Sequence, residues 1–567
     1  MVEERLIAVL KEAADEASAV LGDAPPPDKV ELSRPPNKEF GDFSSNVALI
    51  WASQLGAKPR DVAQAIVERL PADPLVERAE VAGPGFVNLF VRPTWLHDAV
   101  RDAAEQGADF GRAEPSGNRI QVEFVSANPT GPLTIGHARN AAIGDTLARM
   151  FEFTGWGVER EYYFNDAGGQ MDRFGASVEA RYLTLVGRDT AVPEDGYHGD
   201  YVVDIAKRIL EDHGPGLADL PDEQRFLKMR EYGAGIAMVG IRETLARFGV
   251  EFDTYRHEAT LSELGEIDEA IKRLREAGVI YDHEGAVWFR STDYGDDKDR
   301  VVIRSNGIHT YFGADCAYVI DKFRRGFDHL VYVWGADHHG DVVRVKGAAQ
   351  ALGFDPDAVE ILIYQFVSFL RAGEPVKMSK RAGEFVALSD LIDAVGTDAA
   401  RYHLLMFGPD SAMTFDIQEV ARQTMENPVY YVQYAHARIA SILRKAGSEG
   451  VALLPVADAK LELLDSEAEL DLMRKVAELP QEVADATRLR APQRLTRYAE
   501  DLAALFHRFY GERTADGGYV RRVVSDDAEL TQARLWLCTV SKQALAAALG
   551  LLGVSAPESM ERVDADE

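Results

Sequence analysis

The chain has 567 residues, more than a single hydrophobic core supports, so several domains are expected. Its 46% hydrophobic and 27% charged residues exclude a mainly disordered protein. The formal net charge of −31 argues weakly against a nucleic-acid partner, because net charge averages over faces while binding uses local patches.

Cysteine content and hydropathy indicate a cytoplasmic protein. Cys316 and Cys538 are too few for a disulfide framework or a four-thiolate zinc site, so no structural metal is expected. Residues 1–5 are acidic and lack the profile of a signal peptide. The longest apolar run, residues 361–370, is too short to span a bilayer, so no membrane partner is expected.

Residues 1–112 are predicted to form a separate α+β domain. A helical pattern ends at the stiff Ala-Pro-Pro-Pro segment 24–27. A second helical run follows the turn Phe40-Gly41-Asp42-Phe43, and residues 76–91 have the pattern of two strands joined by a turn. Residues 113–118 are predicted to be a linker.

Residues 113–410 are predicted to form an α/β domain, because β-rich runs alternate with helical patterns. The predicted strands are residues 120–125, a strand ending at 162–164, residues 330–334 and residues 361–367. The predicted helices are residues 134–151 and 342–351. Such alternation is typical of a parallel sheet with helices on both faces. Residues 168–300 interrupt it with helical patterns and are interpreted as an insertion.

Residues 411–567 are predicted to form an all-α bundle. The segments long enough for bundle helices are 429–443, 466–489, 492–510 and 532–552. Pro480 is expected to kink or split the second of them.

A strand end, a turn with glycine and proline, and a helix start together predict an anion site. The β-rich run ending near Ser126 places polar groups where ligands of open α/β sheets bind. The helix start after Gly131 and Gly136 offers unpaired N–H groups, and His137 stands in its first turn. The alternative is a helix-capping turn with an exposed histidine.

Two further segments have chemistry of their own. The segment 377–383 has three cations in five positions, which suits the charge of a departing pyrophosphate, although a basic loop is usually solvated surface. The segment 334–340 contains Asp337, His338 and His339, a set that resembles metal ligands. Adjacent histidines on a loop rarely face one ion, so hydrogen bonding to a ribose or substrate is favoured.

These segments resemble the signatures of class I aminoacyl-tRNA synthetases. Residues 134–137 are similar to the "HIGH" element and residues 377–380 to the "KMSK" loop. The wider segments 129–141, 334–340, 427–438 and 551–557, and the Phe40 to Phe43 turn, resemble the arginyl-tRNA synthetases. The resemblance implies a Rossmann-like catalytic domain that activates L-arginine with ATP and Mg²⁺ and transfers it to tRNA(Arg). It also implies an N-terminal domain that contacts tRNA and a C-terminal anticodon-binding bundle, and a monomer is expected.

The resemblance assigns roles to individual residues. The expected catalytic residues are His137, Lys377, Lys380 and Thr134. The expected ATP-binding residues are Pro132, Gly136, His137, Asn140, Gly335, Asp337, His338, Val367, Met378 and Lys380. The expected arginine-binding residues are Glu123, Ser126, Asn128, Tyr311, Asp315 and His339. On residue type alone, a helix cap would be the favoured interpretation of Asp315 and a core aromatic that of Tyr311.

Thr134 departs from the family pattern, which usually has the first histidine of the signature there. Its hydroxyl can contact a phosphate but cannot act as a cation. Near the C-terminus, Tyr430, Tyr431 and Tyr434 fit either base stacking or a core. A locally basic stretch offsets the net-charge argument, and it consists of Arg488, Arg490, Arg494, Arg497 and Arg508.

Two other functions compete with this interpretation. Another class I ligase or a small-molecule adenylyltransferase shares the histidine-bearing turn, but the N-terminal domain and the C-terminal bundle argue against the latter. A tRNA-binding protein without catalysis is suggested only by Thr134, and the presence of His137, Lys377 and Lys380 argues against it.

Overall fold

The computed structural model describes residues 2–22, 24–35, 37–166, 168–376, 386–513 and 520–561. The strands are β1 Leu32–Ser33, β2 Phe43–Ser45, β3 Val76–Ala82, β4 Phe86–Val91, β5 Arg119–Glu123, β6 Gly157–Phe164, β7 Thr254–His257, β8 Ile280–His283, β9 Ala286–Phe289, β10 Arg300–Ile303, β11 His329–Gly335, β12 Val359–Tyr364, β13 Val367–Arg371, β14 Glu374–Pro375 and β15 Met413–Asp416.

Helices make up most of the remaining regular structure. The helices are α1 Val2–Leu21, α2 Val47–Leu55, α3 Pro59–Val67, α4 Thr94–Gln106, α5 Ala138–Phe153, α6 Gly169–Leu185, α7 Asp200–His213, α8 Asp222–Arg247, α9 Glu258–Glu263, α10 Glu266–Glu276, α11 Tyr311–Arg324, α12 Val342–Ala351, α13 Leu388–Val395, α14 Thr397–Leu405, α15 Ile417–Val420, α16 Pro428–Ser448, α17 Glu467–Ala477, α18 Leu479–Leu489, α19 Gln493–Gly511 and α20 Ala528–Leu551. None of the helices in the described ranges has the length and apolar character that a bilayer span requires.

The chain divides into two compact units. The first comprises Met1–Gly107, Ala446–Ala477 and Arg508–Ser541. It contains an antiparallel sheet of order β1-β2-β4-β3, and the predicted pair of strands in residues 76–91 is confirmed as β3 and β4. Gly41 takes a φ of 90° in the turn before β2, where a Cβ would lie 2.6 Å from the carbonyl oxygen of Leu89. Only glycine fits this turn.

The second unit comprises Ala108–Lys445, Glu478–His507 and Lys542–Glu567. Its main sheet has five parallel strands in the order β12-β11-β5-β6-β7, which confirms the predicted parallel sheet. The carboxyl ends of β5 and β11 therefore lie side by side at the centre of one edge. Helix α12 spans the residues predicted for it, and α5 begins after a single 3₁₀ turn, Ile135–His137.

Helix α5 is buried along nearly its whole length, because it packs against the sheet on one side and against α14 and α18 on the other. Gly144 faces the sheet, and a Cβ there would lie 2.1 Å from the ring of Phe124. Arg139 is fully buried and donates to three backbone carbonyls, those of Gln365, Gly408 and Ser411. A helical pattern of apolar residues does not reveal buried polar side chains such as that of Arg139. The sequence of α5 therefore predicts less burial than the structure has.

Two predicted segments are divided in the structure. Pro480 was expected to kink or split residues 466–489, and the split is confirmed, because α17 ends at Ala477 and α18 begins at Leu479 with the proline in its first turn. The apolar run 361–367 was expected to be one strand but belongs to β12 and β13, which lie in different sheets. The break occurs at Gln365, whose N–H donates to the Pro409 carbonyl.

The segment 168–300 contains more than helices. Helices α6, α7 and α8 pack around a core of their own. Strand β7 then returns to the main sheet as its fifth strand, and β8, β9 and β10 form a small antiparallel sheet that leads into α11. Helix α11 begins on the side of the carboxyl edge of the main sheet and ends at the amino edge, where the Arg325 carbonyl accepts from Arg119 at the start of β5.

Candidate active site

A cleft of about 1170 Å³ opens at the carboxyl edge of the main sheet, where β5, β6 and β11 end. It brings together most of the residues expected to bind ATP and arginine. These are Glu123, Ser126, Asn128, Thr134, Gly136, His137, Asn140, Tyr311, Asp315, Gly335, Asp337 and His338. Pro132, His339 and Val367 lie outside its lining. Lys377, Met378 and Lys380 lie outside the described residues.

The turn after β5 has an unusual backbone. Val125 and Ser126 both take left-handed conformations, with φ of 65° and 44°, which non-glycine residues adopt only where the surroundings compensate. Asn140 supplies part of that compensation, because its Oδ1 accepts from Val125 N at 2.6 Å and its Nδ2 donates to the Val333 carbonyl at 2.9 Å. Asn140 therefore joins the ends of β5 and β11 while it lines the cleft.

His137 is oriented by Thr134 at the start of α5. The Thr134 N–H donates to His137 Nδ1 at 3.1 Å, and the Thr134 hydroxyl lies 3.0 Å from the same nitrogen. A ring nitrogen that accepts a backbone N–H carries no proton, so the neutral imidazole has its proton on Nε2. The Thr134 hydroxyl thus lies against the histidine ring.

The residues that follow the lysine segment are attached to this turn. Ile135 N donates to the Val386 carbonyl at 3.1 Å, and Leu388 N donates to the Leu133 carbonyl at 2.8 Å. The described part of the chain ends at residue 376, before the lysine segment, and resumes at Val386. The chain beyond the lysine segment is therefore hydrogen-bonded next to His137.

Asp315 and Tyr311 lie on the side of α11 that faces the cleft, and they are neither a helix cap nor a core aromatic. Thr310 caps the helix, because its hydroxyl accepts from Gly313 N at 3.3 Å, so Asp315 is not the cap. Tyr311 is 63% exposed and lines the cleft, so it is not a core aromatic. Burial, together with the nearby carboxylates of Glu258, Asp341 and Glu123, raises the pKa of Asp315 to about 7.

Glu123 ends β5 and has a partner that the sequence reasoning missed. Its side chain is almost completely buried, and Lys322 Nζ donates to its Oε2 at 2.5 Å. Burial raises the pKa of Glu123, while the Lys322 ammonium acts in the opposite direction. A signal was present, because Asp315, Tyr318 and Lys322 are spaced by three and four residues, which places them on one face of a helix.

Asn128 and Ser126 are held in the wall of the cleft. Asn128 Nδ2 donates to Gln170 Oε1 at 2.7 Å, and its Oδ1 accepts from Asn165 N at 3.0 Å. The Ser126 hydroxyl donates to Glu123 Oε1 at 3.3 Å and accepts from Tyr163 N at 3.2 Å. Polar groups at the ends of β5 and β6 thus converge on one side of the cleft.

The Asp-His-His segment forms a short 3₁₀ helix, Ala336–Asp341, at the end of β11. His338 Nδ1 lies 3.3 Å from Asp341 Oδ2, and its ring centre lies 5.7 Å from that of Trp334. His339 is exposed. Across the described residues, no group of three histidine, cysteine or acidic side chains is arranged to hold a metal ion.

The arginines expected to form a basic stretch are largely neutralised by the chain itself. Four of the five pair with carboxylates: Arg488 with Asp485, Arg490 with Glu360, Arg494 with Glu482 and Arg508 with Asp471. The expected local basic patch is therefore much weaker than the sequence suggests. Tyr430 is buried and its hydroxyl donates to the Glu561 carbonyl, which favours the core alternative for this residue.

Three family models match nearly the whole chain. Residues 4–91 match the arginyl tRNA synthetase N terminal domain, residues 99–187 and 220–441 the class I (R) tRNA synthetase catalytic domain, and residues 432–560 the DALR anticodon binding domain. An arginine–tRNA ligase of Desulforamulus reducens is 46% identical over 534 residues, 94% of each chain. The chain belongs to the arginyl-tRNA synthetase family.

Other relatives agree with this family assignment. An arginine–tRNA ligase of Moorella thermoacetica is 45% identical over 560 residues, 98% of each chain. The arginyl-tRNA synthetase structure of Thermus thermophilus has a TM-score of 0.77 and 23% identity, and the match covers 99% of this chain and 100% of that one. At that identity the likeness concerns the fold alone. The predicted family and fold class are confirmed.

Proposed function

We propose that this cleft is the site where the chain activates L-arginine with ATP and joins it to tRNA(Arg). One observation supports the proposal above all: two carboxylates, Glu123 and Asp315, face the same cleft as the histidine-bearing helix start. A guanidinium needs carboxylates that it can meet with paired hydrogen bonds, and a triphosphate needs N–H donors.

Arginine is proposed to enter with its guanidinium towards Glu123 and Asp315. Tyr311 stands beside that end, and Ser126 and Asn128 hold the α-amino and carboxylate end, with His339 at the edge of the site. A carboxyl group with a pKa of about 7 ionises readily when a cation arrives, because the cation offsets the burial and the neighbouring negative charge that raise it. The site is therefore suited to a permanent cation such as guanidinium.

ATP is proposed to bind with its phosphates at the start of α5, near Pro132 and Gly136. The Nε2–H of His137 then donates to a phosphate oxygen, and Thr134 acts by orienting that ring. The remaining nucleotide contacts are assigned to Asn140, Gly335, Asp337, His338, Val367 and Met378. Mg²⁺ is proposed to arrive with ATP as part of the substrate, and Lys377 and Lys380 neutralise the leaving pyrophosphate.

The reaction needs no nucleophile from the protein. The arginine carboxylate oxygen attacks the α-phosphorus of ATP. The bond between the α-phosphorus and the oxygen that bridges it to the β-phosphate breaks, and pyrophosphate leaves. A hydroxyl of the terminal adenosine of tRNA then attacks the arginyl carbonyl and passes its proton to a phosphate oxygen, and AMP leaves with the electrons of the broken carbonyl C–O bond. The chain contributes position and electrostatic stabilisation in both steps.

The remaining regions are proposed to serve tRNA. Residues 1–112 contact the tRNA, 113–410 form the catalytic domain with its insertion at about 168–300, and 411–567 bind the anticodon region. We also propose a monomer in the cytoplasm, a compartment consistent with two buried free thiols, Cys316 and Cys538.

ATP–pyrophosphate exchange with each amino acid, with and without bulk tRNA, tests the proposal. Exchange is expected with arginine and is expected to depend on tRNA. Exchange with a different amino acid would refute the specificity. Binding of tRNA without exchange under any condition would favour a tRNA-binding protein without catalysis.

A further inference from the structure

Lys322 is a buried lysine directly behind the wall of the cleft. Its side chain is 1% exposed, and its Nζ donates to Glu123 Oε2 at 2.5 Å. The ring centres of Tyr332 and Tyr318 lie 3.8 and 4.2 Å from the same nitrogen. A buried ammonium loses its hydration, so it needs anions and aromatic faces in place of water. The proposed function gives this cation no task.

A second carboxylate, Glu161, lies near the ammonium but has closer partners. Its Oε1 is 3.8 Å from Lys322 Nζ, whereas Arg325 donates to its Oε2 at 2.6 Å and the Tyr318 hydroxyl donates to its Oε1. Lys322 is therefore directed mainly at Glu123, the carboxylate that lines the cleft.

The two oxygens of Glu123 have different partners. Oε2 accepts from Lys322, and Oε1 accepts from the Ser126 hydroxyl at 3.3 Å. Both contacts come from the chain itself, and together they fix the plane of the carboxylate. A carboxylate that is already oriented loses little side-chain entropy when a planar guanidinium binds.

We infer that Lys322 is a positioning residue for the selection of arginine, which keeps Glu123 ionised and holds its carboxylate in the plane that the guanidinium requires. The inference rests on the proposed function, in which Glu123 contacts the substrate and Lys322 does not.

The charges around Glu123 predict how arginine binding should depend on pH if Lys322 acts in this way. Burial raises the pKa of Glu123, the Lys322 ammonium lowers it, and the Glu161 carboxylate raises it further. The other titratable groups that face Glu123 are Asp315 and Tyr318 on α11, Tyr163 on β6 and Tyr332 on β11. Removal of the ammonium therefore raises the pKa of Glu123, and removal of the Glu161 charge lowers it. Since the guanidinium binds the ionised form, the two changes shift arginine binding in opposite directions along the pH scale.

Three variants test this in the full chain. Lys322→Met removes the charge and keeps much of the volume, Lys322→Arg keeps the charge, and Glu161→Gln removes the neighbouring charge. The KM for arginine, the KM for ATP and kcat are measured by pyrophosphate exchange with tRNA between about pH 6 and pH 9.

Lys322→Met is expected to raise the KM for arginine roughly 10- to 100-fold at neutral pH, the loss that follows from removing a charge-assisted partner. The KM for ATP stays near that of the unmodified enzyme, the KM for arginine recovers as the pH rises, and Lys322→Arg restores most of the affinity. In Glu161→Gln, the acid rise of the KM for arginine moves to lower pH.

A double-mutant cycle shows whether Lys322 acts through Glu123. In a Glu123→Gln background, Lys322→Met should add nothing to the KM for arginine. The inference would be overturned if the effects of Lys322→Met and Glu123→Gln on the KM for arginine were additive. It would also be overturned if both single variants lost stability while the pH dependence of their KM for arginine stayed unchanged. If Lys322→Met does not fold, Glu161→Gln remains as the test. An unchanged pH dependence of its KM for arginine would then overturn the inference. A normal KM for arginine in Glu123→Gln alone would instead refute the proposed role of Glu123.

Discussion

If Asp315 binds the guanidinium as proposed, arginine binding should depend on pH in a range where most carboxyl groups do not titrate. Its pKa is raised to about 7, so about half of the enzyme carries a protonated Asp315 at pH 7. If the guanidinium binds only the ionised form, the apparent dissociation constant is the intrinsic one divided by the ionised fraction. Affinity is then about twofold below its maximum at pH 7 and about tenfold below it at pH 6. Above about pH 8 it becomes constant.

Asp315→Asn removes the titration while keeping the shape of the side chain. The KM for arginine in pyrophosphate exchange should rise by roughly 10- to 100-fold, because the guanidinium loses a charged partner. The part of the acid dependence that comes from Asp315 should disappear with it. Asp357→Asn is a matched control, because Asp357 is exposed and lies in the short 3₁₀ helix before β12, at the opposite edge of the sheet. Its profile should follow that of the unmodified enzyme.

Calorimetry gives an independent measurement of the same proton. Arginine titrated into the enzyme at pH 7, in two buffers of different ionisation enthalpy, should release about half a proton per site. The released proton should be absent in Asp315→Asn. A KM for arginine that does not change between about pH 6 and pH 8, or equal pH profiles for the enzyme and Asp315→Asn, would show that Asp315 does not titrate with arginine binding.

Three further predictions concern the phosphate side and the packing beneath it. Thr134→Ala should slow exchange about fivefold, because it removes the hydroxyl contact to His137 Nδ1 and leaves only the backbone N–H contact. Thr134→Ser should stay near normal, and an unchanged rate in Thr134→Ala would contradict the orienting role of the hydroxyl. Gly144→Ala should destabilise the fold by about 1–3 kcal/mol in urea unfolding through overpacking. Gly240→Ala, at an exposed helical glycine with open space around it, should not be destabilising, and equal losses in the two glycine variants would refute the packing argument. Lys380→Ala should slow adenylate formation and leave arginine affinity nearly unchanged, so a large loss of arginine binding would show that this lysine is misassigned.

The sequence predicted the elements that local patterns encode. The apolar runs at β5 and β11, the helix α12 and the split at Pro480 follow from periodicity and from backbone chemistry within a few residues. The cleft residues also came together, because the carboxyl ends of parallel strands meet at one edge of a sheet.

Pairings over long distances along the chain were not predictable in this way. Lys322 and Glu123 are 199 positions apart, and nothing local marks their contact. The arginines near residue 490 have the composition of a nucleic-acid patch, yet carboxylates such as Glu360 neutralise them. The strand break at Gln365 depends on a hydrogen bond to Pro409, in a turn 44 residues further along. Such features follow from the tertiary fold and not from periodicity.

A crystal structure of the enzyme with bound arginine would show which side chains hold the guanidinium. The guanidinium should lie within hydrogen-bonding distance of both the Asp315 and Glu123 carboxylates, with the α-carboxylate directed towards the start of α5 and His137. A guanidinium bound elsewhere in the cleft, with neither carboxylate in contact, would contradict the proposed role of both carboxylates.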